Sequence, residues 1–400
     1  MYDLLDGVRV IDFSSWLFLP SAGAVLADWG ADVVKVEDAA TPDASRGLAV
    51  GGVSTTGIAP MVEFANRGKR GVALDIRRER GRDLLYRLVA SADVFMTNVR
   101  TRSTERLGID VASLRKVNPD LICVRATGYG QRGPHADRPA FDLAAAWAAG
   151  GAAHQATRPD RDEPAFQPGS FGDATGGLTA AGAVAAALVK RDRTGRPSVI
   201  DVALQSVGMW MMGPQVTLGA MGMLTAPFRH EEPPNPLVNA FRTADDRWIY
   251  FTLMQSDRFW GRFCRHLGRP DLFDDARFSD AGKRAAHTGE LTAVLKAAFG
   301  DGTLAHWESR FAGFDGVWAT ALSPAELSAQ PQVRANGFVI DVDYPQGPQP
   351  LVASPAQFDG SPLGDVRRAP EPGEHNDEVL LELGLTMDEI LQAKIDGAVL

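Results

Sequence analysis

A single acid framed by glycines, Gly169-Ser170-Phe171-Gly172-Asp173-Ala174-Thr175-Gly176-Gly177, has the strongest claim to chemistry in this 400-residue chain. Small residues on both sides leave the carboxylate open to close approach by a ligand. An Ala-rich segment that reads as a helix follows directly. A helix N-terminus keeps a carboxylate ionised and supplies N–H donors to an oxyanion. A carboxylate that forms an acyl intermediate has such surroundings. So does a plain N-cap, because aspartate is favoured there for accepting backbone N–H bonds. The local residues leave Asp173 open to both readings.

Gly128-Tyr129-Gly130-Gln131-Arg132-Gly133 matches G-x-G-x-x-G after a strand-like run. A dinucleotide site needs a helix opening inside the motif and an acid ending the next strand. Here Pro134, His135 and Asp137-Arg138-Pro139 follow, so the segment predicts a glycine-rich turn lining a cleft. The seven histidines are scattered, and Cys123 and Cys264 lie far apart in apolar stretches. That pattern predicts neither a metal site nor a disulfide framework. His266 and His306 sit in helical segments and read as surface or packing residues. No G-x-S-x-G elbow or Walker A sequence occurs. Basic residues gather in three N-terminal loops: Arg46; Arg67, Lys69 and Arg70, with Arg77 and Arg78 beyond; and Arg100, Arg102 and Arg106. At strand ends such a set is either a phosphate clamp or solvated surface charge.

The elements that must hold these residues follow an alternating pattern. Val8–Phe13 and 31–37 read as strands flanking a helix over 21–29, with Gly30 as its stop. Short strands then alternate with helical segments: 72–76, 80–91, 94–96, 111–118 and 121–127. This predicts an α/β fold whose parallel sheet is covered by helices on both faces. A helix from Ala174, a strand over 198–203 and a Met/Trp-rich helix ending near Met223 extend it. A Pro-rich, charged stretch over 225–237 reads as a linker. Beyond it, a hairpin turning at Ala244-Asp245-Asp246-Arg247 and several helices predict a smaller α+β domain. The expected division is 1–224, 225–335 and 336–400, the last segment returning to the large domain.

Composition bounds the rest. A chain 45% apolar and 23% charged is neither disordered nor collagen-like. A formal charge of −9 gives no general attraction for nucleic acid or anionic lipid. The start, Met1-Tyr2-Asp3-Leu4-Leu5-Asp6, has no basic signal-peptide region. The most membrane-like stretch, Ala174 to Val189, is shorter than the about 20 residues a span requires and reads as a buried helix. No membrane or nucleic-acid partner is expected, and cysteine usage fits a cytoplasmic location.

Seven segments in a fixed order resemble the class III coenzyme A transferases, the CaiB/BaiF family that includes formyl-CoA transferase. They are LDGVRVIDFSSWLFLPSAGAVLADWGADVVKVE at the start, NRGKRGVALDI at 66–76, TNVRTRSTERLGID at 97–110, GYGQRGP at 128–134, RPAFDLAAAWAAGG at 138–151, GDATGG at 172–177 and GEHNDEVLLELGL at 373–385. The resemblance implies a large Rossmann-like domain built from both chain ends, a small domain, and two subunits interlocked as a homodimer. It places the catalytic nucleophile at Asp173. The pocket for coenzyme A falls on Arg46, Leu74, Arg77, Asn98, Val99 and Arg106, with Arg138 added from a loop of different length. The implied reaction moves CoA from an acyl-CoA to a carboxylic acid through an aspartyl mixed anhydride and an aspartyl-CoA thioester. It needs no metal.

Departures from the family pattern bear on the substrate. In formyl-CoA transferase a glutamine handles the small polar acyl group, and Leu17 stands at that position here. The tetraglycine loop of that enzyme has no counterpart. Asp38 replaces a residue that relatives often make basic or proline near the adenosine. A larger apolar acyl group is therefore expected, with Trp16, Leu17, Phe18 and Asp142 on the substrate side. Met209, Trp210, Met211 and Met212 are either further lining or helix core. The α-methylacyl-CoA racemases of the same superfamily carry a histidine before an aspartate in G-H-D. Ala140-Phe141-Asp142 occupies that place, and Phe141 cannot carry a proton. A racemase-like isomerase and a non-catalytic CoA-binding protein are the alternatives.

Overall fold

The computed structural model describes residues 1–48, 57–158, 160–223 and 226–400. The chain divides into two compact units. The larger comprises Met1–Gln155, Pro164–Thr225 and Pro331–Leu400, and the smaller Ala156–Glu163 and Ala226–Gln330. The expected boundary at 224–225 lies outside the described residues.

The larger unit is an α/β fold around six parallel strands: β1 (Arg9–Phe13), β2 (Asp32–Glu37), β3 (Arg70–Ala73), β4 (Val94–Thr97), β5 (Ile122–Thr127) and β6 (Val199–Ala203). Their order is β3-β2-β1-β4-β5-β6. The order reverses between β1 and β4, which opens a crevice at the strands' carboxyl ends where such sheets bind ligands. One face is covered by α1 (Phe18–Asp28) and α6 (Phe171–Thr194), with α2 (Pro60–Asn66) beside α1. The other carries α3 (Glu79–Ala90), α5 (Val111–Val117) and the C-terminal helices Asn376–Glu382 and Met387–Ile395. α4 (Thr101–Leu107) follows β4, and α7 (Leu204–Met211) and α8 (Gly213–Ala220) follow β6.

Helix α6 is 24 residues long and starts three residues before the expected helix. Among the described residues it is the one helix long and apolar enough to cross a membrane, and its buried face packs in the core of this unit. The glycines around Asp173 serve that packing. A Cβ on Gly177 would sit 1.9 Å from Ser21 Oγ, and one on Gly176 would sit 2.3 Å from the Phe18 ring. They let α6 lie directly against α1.

A buried ionic cluster ties β1, β2 and the start of β3 together. Lys69 Nζ donates to Asp12 Oδ2 at 2.6 Å, to the Pro20 carbonyl at 2.8 Å and to Asn66 Oδ1 at 2.9 Å. Lys35 Nζ donates to Asp43 Oδ2 at 3.2 Å and to the Ser14 carbonyl. All four charged side chains are buried. Lys69 reaches Asp12 beneath Gly23, where a Cβ would stand 2.8 Å from Nζ.

The smaller unit is α+β. Strands β7 (Val238–Arg242), β8 (Trp248–Thr252) and β9 (Trp318–Thr320) form an antiparallel sheet, with the β7–β8 turn over 243–247. Helices Ser256–Leu267, Thr288–Gly300 and Leu304–Phe311 cover it through a phenylalanine-rich core around Phe241, Phe251, Phe263, Phe299 and Phe311. Strands β10 (Val339–Val342) and β11 (Gln349–Val352) form a hairpin in the larger unit.

Candidate active site

Asp173 occupies the first turn of α6, inside the helix. Ser170 is the N-cap residue and makes no side-chain cap bond. The Asp173 amide donates to Asp142 Oδ2 at 3.1 Å, and Gln167 Nε2 donates to the same oxygen at 2.9 Å. The other Asp142 oxygen is buried without a partner among the described residues. Asp142 leads into a π-helical turn, Leu143–Ala148, a local irregularity frequent at functional sites. Gly172 permits this approach, because a Cβ there would lie 2.3 Å from Asp142 Oδ1.

The Asp173 carboxylate is half-buried and has no hydrogen-bond partner among the described residues. Burial, followed by the negative charge of Asp142, pushes its pKa up to about 7. Burial and Asp142 thus oppose the ionising influence expected of the helix N-terminus. The Asp173 amide is spent on Asp142, so the first-turn donors without an intrahelical carbonyl are those of Phe171 and Gly172.

The crevice between β1 and β4 is bridged by Asn98. Its Nδ2 donates to the Ser15 carbonyl at 2.7 Å, and its Oδ1 accepts from the Ser15 amide at 3.0 Å. Trp16 follows with φ of 69°, a left-handed conformation unusual for a bulky residue. Its amide donates to both Asp43 oxygens at 3.1 Å. Burial works to raise the Asp43 pKa, but Lys35 and the amides of Ser45 and Trp16 outweigh it and hold the group below its ordinary value. The Trp16 ring meets Phe141 edge-to-face at 5.0 Å. Leu17 and Phe18 point into the protein, and Phe18 packs against Gly176.

The basic residues differ in how they are engaged. Arg46 Nε donates to Glu37 Oε2 at 3.0 Å and Nη2 to the Pro370 carbonyl at 2.9 Å. Exposed Arg77, beyond β3, pairs with Asp75 at 2.8 Å and Asp38 at 3.1 Å. Leu74 is buried and bridges Val399. Val99 is half-buried after β4, and its amide donates to Thr97 Oγ1 at 3.1 Å. Arg106 is exposed on α4 and has no ion-pair partner among the described residues. Exposed Arg138 lies 5.5 Å from the Tyr129 ring centroid. Arg46, Leu74, Arg77, Asn98, Val99 and Arg106 all follow the carboxyl ends of β2, β3 and β4. Arg67 and Arg70 instead belong to structural pairs with Asp28 and Asp32, each at 2.6 Å.

The segment 128–133 is a turn with Gly130 and Gly133 at positive φ, and it lines a cleft of about 950 Å³ with Arg125, Asp201 and Trp210. No helix opens in it. Met209, Trp210 and Met211 are not core residues: they are exposed on α7, Trp210 at 83%. Among the described residues no group of acids, histidines and cysteines could hold a metal ion. Composition and spacing gave no sign of Gln167, Asp43 or the Trp16–Phe141 contact.

Comparison with known proteins places these features in a wider group. The model of CoA-transferase family III matches residues 5–376. The (R)-2-hydroxy-4-methylpentanoate CoA-transferase of Clostridioides difficile is 32% identical, covering 97% of this chain and 97% of that protein. The cinnamoyl-CoA:phenyllactate CoA-transferase of Clostridium sporogenes is 29% identical, covering 98% and 97%. The crystal structure of a CAIB/BAIF family protein from Brucella suis superposes with a TM-score of 0.84 at 31% identity, covering 95% of this chain and 99% of that one.

Proposed function

This chain belongs to CoA-transferase family III, and from that premise we propose that it transfers CoA between carboxylic acids through covalent intermediates on Asp173. The observation that carries this reading is the Asp173 carboxylate itself: half-buried, without a hydrogen-bond partner among the described residues, and with a pKa that burial and Asp142 push up to about 7. A structural acid would be paired; a nucleophile must be open and basic.

The steps balance as four acyl transfers. An Asp173 oxygen attacks the thioester carbonyl of the donor, forming a mixed anhydride and expelling CoA thiolate. The thiolate attacks the Asp173 carbonyl carbon, expelling the donor acid as its carboxylate and leaving an aspartyl-CoA thioester. The acceptor carboxylate attacks that thioester, forming a second anhydride and freeing the thiolate again. The thiolate then attacks the acceptor's acyl carbon, forming the new acyl-CoA and returning the Asp173 carboxylate. The Phe171 and Gly172 amides are the donors for the oxyanions.

Coenzyme A lies over the carboxyl ends of β2 to β4, against Arg46, Leu74, Arg77, Asn98, Val99 and Arg106, with Arg138 at the rim. Trp16 and Asp142 shape the acyl side, and Leu17 and Phe18, buried behind Trp16, back it from within the protein. Branched and aromatic acids in the names of the two relatives support a medium or bulky apolar acyl group. The exposed Met209, Trp210 and Met211 surface supports a homodimer that covers this face, and the family resemblance implies that its subunits interlock. The reaction belongs in the cytoplasm, with acyl-CoA and free acids as its partners.

The test is chemical trapping. Incubation with acyl-CoA followed by hydroxylamine or borohydride should modify the peptide spanning Gly169 to Gly177. Label on any other peptide removes Asp173 as nucleophile. Exchange of an α-proton with deuterated water, in the absence of an acceptor acid, would point to the isomerase instead.

A further inference from the structure

We propose that Phe141, together with Trp16, is the specificity-determining wall of the acyl site, selecting acyl groups that present a branched or aromatic face. The inference rests on the reading of Asp173 as nucleophile. Four observations lead to it. Trp16 is held in a strained left-handed conformation by two independent anchors: the buried Asp43 carboxylate on its own amide, and Asn98 on both backbone groups of Ser15. Strain that is over-determined in this way concentrates at ligand sites.

The ring so aimed does not complete a core. It meets Phe141, which remains 60% exposed, edge-to-face at 5.0 Å. An exposed aromatic pair is a surface that gains by being covered. Its place is the third observation. Phe141 is covalently followed by Asp142, whose Oδ2 holds the Asp173 amide at 3.1 Å. The pair thus stands one residue and one hydrogen bond from the reactive carboxylate. Finally, Leu17 and Phe18 are buried, so of the aromatic and aliphatic side chains in the 16–18 loop only Trp16 is partly open. An acyl chain reaching Asp173 along this wall meets two rings. Small polar acyl groups gain nothing from such a surface.

The experiment measures kcat/KM of the full-length enzyme for phenylpropionyl-CoA, 4-methylpentanoyl-CoA and acetyl-CoA. It compares the parent with Phe141→Ala and Phe141→Leu. Because Phe141 is largely exposed, neither change should impair folding, and circular dichroism and a thermal melt check this. The phenylpropionyl-to-acetyl ratio should fall about tenfold in Phe141→Ala, equivalent to ~1.4 kcal/mol. The 4-methylpentanoyl ratio should recover in Phe141→Leu more than the phenylpropionyl ratio. A uniform change across all three donors, or no change in the ratios, overturns the assignment. Hydroxylamine trapping with acetyl-CoA is run in parallel. Label away from the Gly169–Gly177 peptide means that the nucleophile reading has failed, whereas correct label with unaltered ratios means that only the wall has failed.

Discussion

The Asp173 amide and the Asp142 carboxylate are joined at 3.1 Å, so the acid that fixes the first turn of α6 also stands beside the acid at its tip. One side chain thereby does two things. It anchors the Asp173 backbone, and its charge adds to burial in raising the Asp173 pKa. A carboxylate with a higher pKa is a better nucleophile once ionised, at the cost of being partly protonated near pH 7.

Asp142→Asn separates these roles, because asparagine keeps an acceptor for the Asp173 amide while removing the charge. Asp173 must be ionised to attack, so kcat/KM should rise with pH through about 7 in the parent. In the variant this acidic limb should move down by roughly one pH unit. A limb that stays in place would show that the charge of Asp142 is not felt at Asp173.

The raised pKa has a stability consequence whose sign is fixed by linkage. A carboxyl that holds its proton more tightly when folded stabilises the fold fully below its ordinary value of 3.8 and loses that contribution as pH rises through about 7. Asp173→Asn carries no such loss. It should abolish transfer yet be more stable than the parent at pH 8.5, by ~1–3 kcal/mol after discounting for partial exposure. The gain should shrink towards pH 4. Urea unfolding at the two pH values measures it, and a variant less stable than the parent at pH 8.5 contradicts a desolvated carboxylate.

The parallel sheet was legible because β-branched runs such as Val33-Val34 and Val94 alternate with amphipathic helices, a pattern that local residues carry by themselves. Asp173 was visible as an acid among glycines, but the reason for those glycines was not. Gly176 and Gly177 answer to Phe18 and Ser21, some 155 residues earlier, and only the packed α1–α6 pair brings them together. The start of α6 was misplaced because Phe171 and Gly172 have weak helix preference. The tertiary contact of Gly172 with Asp142 compensates for it. Likewise Met209 and Trp210 are apolar at helical spacing, and periodicity cannot tell an inward face from an exposed one.

Arginines that look alike in the sequence should behave differently. Arg46 is committed to Glu37 and the Pro370 carbonyl, and Arg77 to Asp75 and Asp38. A phosphate reaching Arg106 displaces no carboxylate. Arg106→Ala should therefore raise KM for acyl-CoA about 5–10-fold, in line with a lost charge-assisted contact. It should also flatten the dependence of KM on salt. Arg77→Ala should change KM less. Equal effects of the two variants would place the phosphates elsewhere.

The buried pair of Lys69 and Asp12 offers a further test. Lys69 Nζ is buried and satisfies Asp12, Pro20 and Asn66 at once, at 2.6, 2.8 and 2.9 Å. Lys69→Met leaves the Asp12 charge without its hydrogen-bonded cation and should cost about 3–5 kcal/mol. The double variant Asp12→Leu with Lys69→Met removes both charges and should lose less than the sum of the single losses, because no unpaired charge is left inside. Urea unfolding of the four proteins closes the cycle, and strictly additive losses would deny that the pair acts as a unit. Asp12 lies two residues before Ser14, whose carbonyl accepts from Lys35, and Trp16, whose amide donates to Asp43, lies two residues after Ser14. If the cluster sets that loop, the double variant should also discriminate less between phenylpropionyl-CoA and acetyl-CoA than the parent, even where its fold survives.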